Sequence, residues 1–176
     1  MVVISLASLL TVCAPAVDPG TAMRLIATES SANQFAIQIN GPFRLNRQPI
    51  SYAEFAEVVA QLDAKGYNFD FGYSQANNKE IKRRGGEVRG YIDACSNLRF
   101  MQDVLSGCYA SAPGSNGETQ LKLAQALSCY NTGRYGAGFA NGYVARVYRA
   151  SPMQAFNAQA LIFKEHLPAK LKDHNL

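Results

Sequence analysis

Four cysteines, Cys13, Cys95, Cys108 and Cys129, constrain the fold of this 176-residue chain more than any other feature. They lack the close paired spacing of a zinc site, and only His166 and His174 stand by to assist them, so no metal centre is expected. An even count spread through a small protein predicts two disulfides and an oxidising compartment, with four buried free thiols as the alternative. A single helix across 96–110 would hold Cys95 and Cys108 roughly 20 Å apart at about 1.5 Å per residue. A disulfide needs its Cα atoms within about 7 Å. Two pairings stay open: Cys13 with Cys95 and Cys108 with Cys129, or Cys13 with Cys108 and Cys95 with Cys129.

With 48% hydrophobic residues the chain is long enough for one good core and short for two. It therefore reads as one domain over 1–176, with its core at about 5–150 and a final helix and tail at 151–176. The net charge of +4 is mild, and the one dense basic cluster, Lys82, Arg83 and Arg84 with Arg89 nearby, is too small for nucleic acid. The apolar run from Val2 to Val12 is short and follows no Lys or Arg, which makes it a poor signal peptide and too short to span a membrane. Leu10-Thr11-Val12-Cys13 has the outline of a lipoprotein site, but valine before the cysteine is wrong for that processing. The run reads as the first core helix of a chain whose export signal has been removed or lies outside it.

Asp18 before Pro19 is a helix start, since Asp accepts from free first-turn amides and Pro fits that turn. Met23, Ile26 and Ala27 share a face, so the helix runs from about Pro19 to Glu29 or Ser30. Phe35 to Ile39 reads as a strand, broken by Asn40-Gly41-Pro42, with Phe43 to Leu45 returning as its weak partner. Ser51 and Glu54 have capping-box spacing before a helical repeat of Phe55, Val58, Val59 and Leu62 that Gly66 ends. Tyr67 to Gln75 is read as a loop entering a short helix near Asn78 to Arg84. Helices follow over Asn97 to Ala110 and Glu118 to Tyr130, separated by a break at Pro113 to Gly117. A glycine-rich loop spans Asn131 to Gly142, and further helices are placed at Tyr143 to Tyr148 and 151–168. The sum is an α+β, mainly α domain with one small β-hairpin.

Glu29 stands at the end of its helix, where the macrodipole disfavours a carboxylate, and partial burial among Ile26, Phe35 and the aromatic loop pushes its pKa the same way. A glutamate held protonated near neutral pH can serve as a general acid. Most glutamates at helix ends are simply solvated, so this signal alone is weak.

Thr28-Glu29-Ser30, Phe35-Ala36-Ile37 with Asn40-Gly41, the stretch Asn68 to Asn77, Ala126 to Gly133 and Gly142-Tyr143-Val144 occur in that order. As an ordered set, spanning about Cys13 to Val147, they resemble the lytic transglycosylases of type IV secretion and conjugation systems within glycoside hydrolase family 23. The resemblance implies a lysozyme-like fold of the goose-lysozyme and soluble transglycosylase type, with a groove between two lobes. It also implies a periplasmic enzyme without cofactor, acting on the β-1,4 bond between N-acetylmuramic acid and N-acetylglucosamine of peptidoglycan glycan strands. Other subunits of a secretion machine are the implied partners.

By the same resemblance Glu29 is the catalytic acid and base. Gln75 falls on the glutamine of the Gly-x-x-Gln motif, Tyr130 and Asn131 match the Tyr-Asn pair that lines the groove, and Tyr143 matches the tyrosine that holds the glutamate. Asn40 and Ser74 complete the candidate substrate-binding set. Taken alone, Tyr130 and Tyr143 would be core aromatics, Gln75 a loop side chain and Asn40 part of a turn. Three positions depart from the family: Tyr73 and Ser74 replace small or aliphatic residues, and Glu80 stands where an asparagine is usual. A goose-type lysozyme that uses water, and a wall-binding assembly protein without turnover, are the rival readings.

Overall fold

The computed structural model describes residues 5–113 and 119–151. Its elements run α1 (Leu6–Cys13), α2 (Pro19–Ser30), β1 (Ile37–Ile39), α3 (Tyr52–Ala64), β2 (Phe69–Phe71), β3 (Ala76–Asn77), α4 (Asn78–Arg83), a 3-10 turn (Val88–Tyr91), α5 (Ala94–Ala110), α6 (Thr119–Thr132), α7 (Ala137–Ala140) and α8 (Tyr143–Arg149). The α+β, mainly α class holds. The break at 114–117, the helix start at Glu118, the helix over 152–168, both histidines and the tail lie outside the described residues.

Local chemistry starts the helices where the sequence places them. Asp18 accepts from the Thr21 amide at 2.8 Å with Pro19 in the first turn, and Ser51 accepts from the Glu54 amide at 3.2 Å. The α5 helix begins three residues before Asn97, because Asp93 caps it through the Ser96 amide at 2.9 Å.

Two hydrophobic cores result, and α5 separates them. Leu98, Met101 and Leu105 join Leu6, Leu10, Leu25, Ile26, Leu127 and Val147 in a helical lobe. Phe100 packs with Phe55, Val59, Phe69, Phe71 and Ile81 in a lobe built on the sheet, and Val104 lies against it. A helix apolar on both sides is the wall between two cores, and α5 packs along α6 on its helical side. Disulfides Cys13–Cys95 and Cys108–Cys129 tie α1 and α6 to the two ends of α5, which selects the first of the two open pairings. Cys13 is thereby bonded within the fold, and α1 is the core helix its apolar spacing predicted.

The sheet differs from the expected hairpin. It has three antiparallel strands in the order β1-β2-β3, with Ile37 opposite Phe71, Ile39 opposite Phe69 and Asp70 opposite Asn77. Phe69-Asp70-Phe71, read as loop, is thus the central strand, and Phe43 to Leu45 forms no strand. Instead the free edge of β1 is satisfied by one side chain: Gln48 accepts from the Ile37 amide at 2.7 Å and donates to the Ile37 carbonyl at 3.0 Å. Phe69 and Phe71 win the pairing because both bury completely, whereas Phe43 stays 56% exposed. Truncating either buried ring would cost about 3–5 kcal/mol.

Candidate active site

Glu29 reaches a cavity between the lobes from the last turn of α2. That helix stops because Ser31 and Ala32 adopt left-handed backbone, and its end is pinned by the Ser30 hydroxyl, which donates to the Tyr73 carbonyl at 2.9 Å. The residue is half-buried, with its carboxyl deep among protein atoms, and the Tyr143 hydroxyl donates to Glu29 Oε1 from behind. Burial pushes the carboxyl up to about 7. The Tyr143 hydrogen bond pulls the other way, Asp70 raises it further, and Arg146 lowers it. The dominant cause is desolvation, which the helix-end reading had set beside the macrodipole. A carboxyl in this state can give up a proton near neutrality and take one back.

The Gly72 to Gln75 turn faces it and is locked from three helices. Gly72 has φ of 80° and packs so closely on Asn97 that a methyl there would lie 2.6 Å from its Cγ. Asn97 Oδ1 accepts from the Ser74 amide and hydroxyl, both at 2.9 Å, while its Nδ2 donates to the Phe71 carbonyl at 3.0 Å. The Tyr130 hydroxyl donates to the Ser74 carbonyl at 2.8 Å. Gln75, itself left-handed at φ 49°, donates its amide nitrogen to the carbonyls of Gly72 at 3.0 Å and Ala36 at 3.2 Å. Since both partners are acceptors, the amide orientation is fixed, and Gln75 offers the groove its carbonyl oxygen.

Glu29, Asn40, Gln75, Tyr130 and Asn131 thus line a single cavity of about 700 Å³. Asn131 Oδ1 accepts from Asn141 at 3.0 Å, which leaves its amide hydrogens available as donors. Two predicted site residues stand elsewhere. Ser74 is fully buried with its hydroxyl spent on Asn97, so its part is to shape the turn and not to touch a ligand. Tyr143 is 2% exposed and holds Glu29 from the protein side.

Asp70 is the site residue that sequence reasoning missed. It lines the same cavity from the centre of β2, with Asn40 donating to Oδ2 at 2.8 Å and Asn77 to Oδ1 at 2.7 Å. No carboxylate lies near Glu29 along the chain, yet folding brings this one across the groove. The available signal was Asp70 between two phenylalanines, the polar side of a strand two-thirds apolar. Glu80, Arg83 and Arg84 also line the cavity, and there Glu80 pairs with Arg83 at 2.6 Å and with Arg84 at 2.7 Å. Among the described residues no three His, Cys, Asp or Glu side chains converge as metal ligands, and no helix is long and apolar enough to cross a membrane.

Fold and site together define a two-lobed, mainly helical α+β domain whose polar groove holds one strongly perturbed carboxyl. The chain is a homologue of the VirB1 proteins of type IV secretion systems. It is 37% identical over 128 residues to the type IV secretion system protein VirB1 of Brucella abortus, covering 72% of this chain and 53% of that protein. Against the VirB1 protein of Agrobacterium fabrum it is 31% identical over 139 residues, 79% of this chain and 56% of the other. For the VirB1 protein of Rhizobium radiobacter the identity is 33% over 141 residues, with shares of 79% and 57%. The chain spans about half the length of the relatives it matches. No family model matches it, and no solved structure does.

Proposed function

We propose that this domain is a peptidoglycan lytic transglycosylase of lysozyme-like fold that opens the cell wall locally for a type IV secretion or conjugation apparatus. The observation that carries the reading is the Glu29 carboxyl, held by Tyr143 and raised to about 7 at the floor of a groove lined with amides. Protonated Glu29 donates to the oxygen of the β-1,4 bond after N-acetylmuramic acid, and the bond between that oxygen and the anomeric carbon breaks with its electron pair on the leaving oxygen. The muramoyl 6-hydroxyl oxygen then bonds to the anomeric carbon, and its proton passes to the Glu29 carboxylate. The product is a 1,6-anhydro end, no water is consumed, and Glu29 returns to its starting state.

Gln75 Oε1 and the Asn131 amide hydrogens are an acceptor and a donor suited to acetamido and hydroxyl groups on successive sugars. Two disulfides support an exported, periplasmic setting. The VirB1 names of the relatives support service to a secretion machine, whose other subunits are the partners in this reading.

Hydrolysis by water is the second reading, and Asp70 favours it, because a second carboxylate in the groove is what a water-using mechanism employs. Digesting purified wall with the domain and analysing the fragment ends separates the two. Anhydro ends support transglycosylation, and fragments that all carry reducing ends sink it. A wild-type chain that clears no wall in a zymogram would instead leave a binding protein, and clearing unchanged by Glu29→Gln would remove Glu29 from the chemistry.

A further inference from the structure

We propose that Arg83 and Arg84 form a carboxylate-binding subsite of the groove, which takes the peptide stem carried by N-acetylmuramic acid and makes this domain prefer glycan strands that still bear their peptides. The inference rests on the glycan-cleaving reading above and adds to it the charged part of the substrate.

The groove is otherwise furnished for a neutral polymer. Apart from the carboxyls of Glu29 and Asp70, its polar lining is amides, from Gln38, Asn40, Gln75, Asn77 and Asn131, with the Tyr130 hydroxyl beside them. Amides both donate and accept, which suits hydroxyl and acetamido groups. The glycan backbone carries no charge once the lactyl carboxyl of the muramoyl unit is joined to a peptide, so it gives a guanidinium nothing to neutralise. Yet two arginines line the same cavity. The anionic part of the polymer is the stem peptide, with its carboxylates.

One glutamate holds both arginines in place. Arg83 donates from Nε to Glu80 Oε2 at 2.7 Å and from Nη2 to Oε1 at 2.6 Å, and Arg84 donates from Nε to the same Oε1 at 2.7 Å. The Arg83 hydrogen bonds, with those of Arg84 behind them, hold the Glu80 carboxyl below its ordinary range, so it stays ionised. One carboxylate against two guanidinium groups leaves a surplus positive charge. Among the described residues no hydrogen bond takes Nη1 of Arg83 or either terminal nitrogen of Arg84. Arg84 is braced further by Phe100, whose ring centroid lies 5.7 Å from its guanidinium carbon. A guanidinium fixed through Nε, with both terminal nitrogens open, presents the fork that a carboxylate accepts in two parallel bonds. Lys82 takes no part, because it pairs with Asp63 and lines a separate hollow with Val59 and Val88. Cations at the end of α4 do relieve the helix dipole, but that role requires neither the cavity nor a shared Glu80.

The spacing fits a short peptide. Phe100, Val104 and Cys108 recur every fourth residue on one face of α5, and all three line the cavity. At about 1.5 Å per residue, Arg84 over Phe100 stands roughly 12 Å along α5 from the Cys108–Cys129 bond. Cys129 leads directly into Tyr130 and Asn131. A lactyl group and two amino acids in extended form span about 10 Å, which carries a carboxylate from a sugar held at Asn131 to Arg84. Val104 and the disulfide lie between, an apolar surface for the lactyl methyl group.

The test gives the full chain three substrates of equal strand length: strands bearing peptides, strands stripped of peptide by an amidase, and peptide-bearing strands whose carboxylates have been converted to amides. Fragment release yields kcat and KM for each. Wild type is expected to favour the first over both others by about 10–100-fold in kcat/KM, the range of charge-assisted hydrogen bonds, and chiefly through KM. With Arg83→Gln and Arg84→Gln combined, that ratio should fall to within about threefold while the melting temperature is kept.

Equal wild-type kcat/KM on all three substrates overturns the proposal. So does a ratio that the double variant retains, or a preference for peptide that survives amidation, since the peptide is then read without its charge. Should the variant not fold, or wild type release nothing from any strand, titration of the wild-type chain with a muramoyl tripeptide decides, followed through the Arg84 Nε–H signal by NMR. An unmoved signal refutes the subsite. A moved signal without glycan release supports the subsite and overturns the cleavage reading beneath it, whereas release without preference overturns the subsite alone.

Discussion

Glu29→Gln tests the site through stability as well as activity. Folding raises the carboxyl from 4.5 to about 7, so the folded chain binds its proton more tightly than the unfolded chain. That preference favours the fold fully below pH 4.5 and is lost as pH rises through about 7, where the buried group ionises. The shift corresponds to about 3 kcal/mol at 1.36 kcal/mol per unit. Glutamine carries no charge and escapes that loss. It does rearrange the hydrogen bond with Tyr143, which takes back about 1 kcal/mol.

The variant is therefore expected to be more stable than wild type by about 2 kcal/mol at pH 8, a rise in melting temperature of about 4–8 °C for a chain of this size. At pH 5 the difference should shrink to about zero, while wall clearing is lost at both. Urea unfolding with the disulfides intact, at pH 5 and pH 8, reads the effect directly. A variant less stable than wild type at pH 8, or a gain independent of pH, would refute the claim that Glu29 sits desolvated and raised.

Other outcomes follow from the same contacts. Tyr143→Phe removes the hydrogen bond that lowers the Glu29 pKa, so the alkaline limb of the pH–rate profile should move above about 7 while kcat falls about tenfold; a limb moving down contradicts the assignment. Gly72→Ala places a methyl against Asn97 on left-handed backbone and should destabilise by about 3 kcal/mol, measured by denaturant unfolding. Replacing Cys13 and Cys95 together by alanine frees a loop of 82 residues, expected to cost about 4.5 kcal/mol, against about 3.4 kcal/mol for the 21-residue separation of Cys108 and Cys129; the reverse order by calorimetry would show that loop length does not govern these bonds.

Much of the helical framework was readable in the chain because its causes are local. Asp18 with Pro19 and Ser51 with Glu54 start their helices through bonds three residues long, and the period of Phe55, Val59 and Leu62 names the buried face. A 17-residue α5 also separates Cys95 from Cys108, which left two disulfide pairings. The ordered motifs named Glu29, Gln75, Tyr130 and Asn131, and the fold brings all four to one cavity.

Tertiary structure decided the rest. Phe69-Asp70-Phe71 is too short to show a strand's period, and its partners lie some thirty residues upstream in β1 and six downstream in β3. Pairing goes to the segment that buries two rings, a comparison no local window contains. The same event carries Asp70 across from Glu29, while the packing of α1 and α6 along α5 sets the first of the two open disulfide pairings. Side-chain spacing along one helix is written in its own turn, but a groove is a juxtaposition of segments, and its electrostatics exist only once they meet. Composition and capping chose helices for most of this chain. The burial of a few aromatic residues chose which carboxylates face each other.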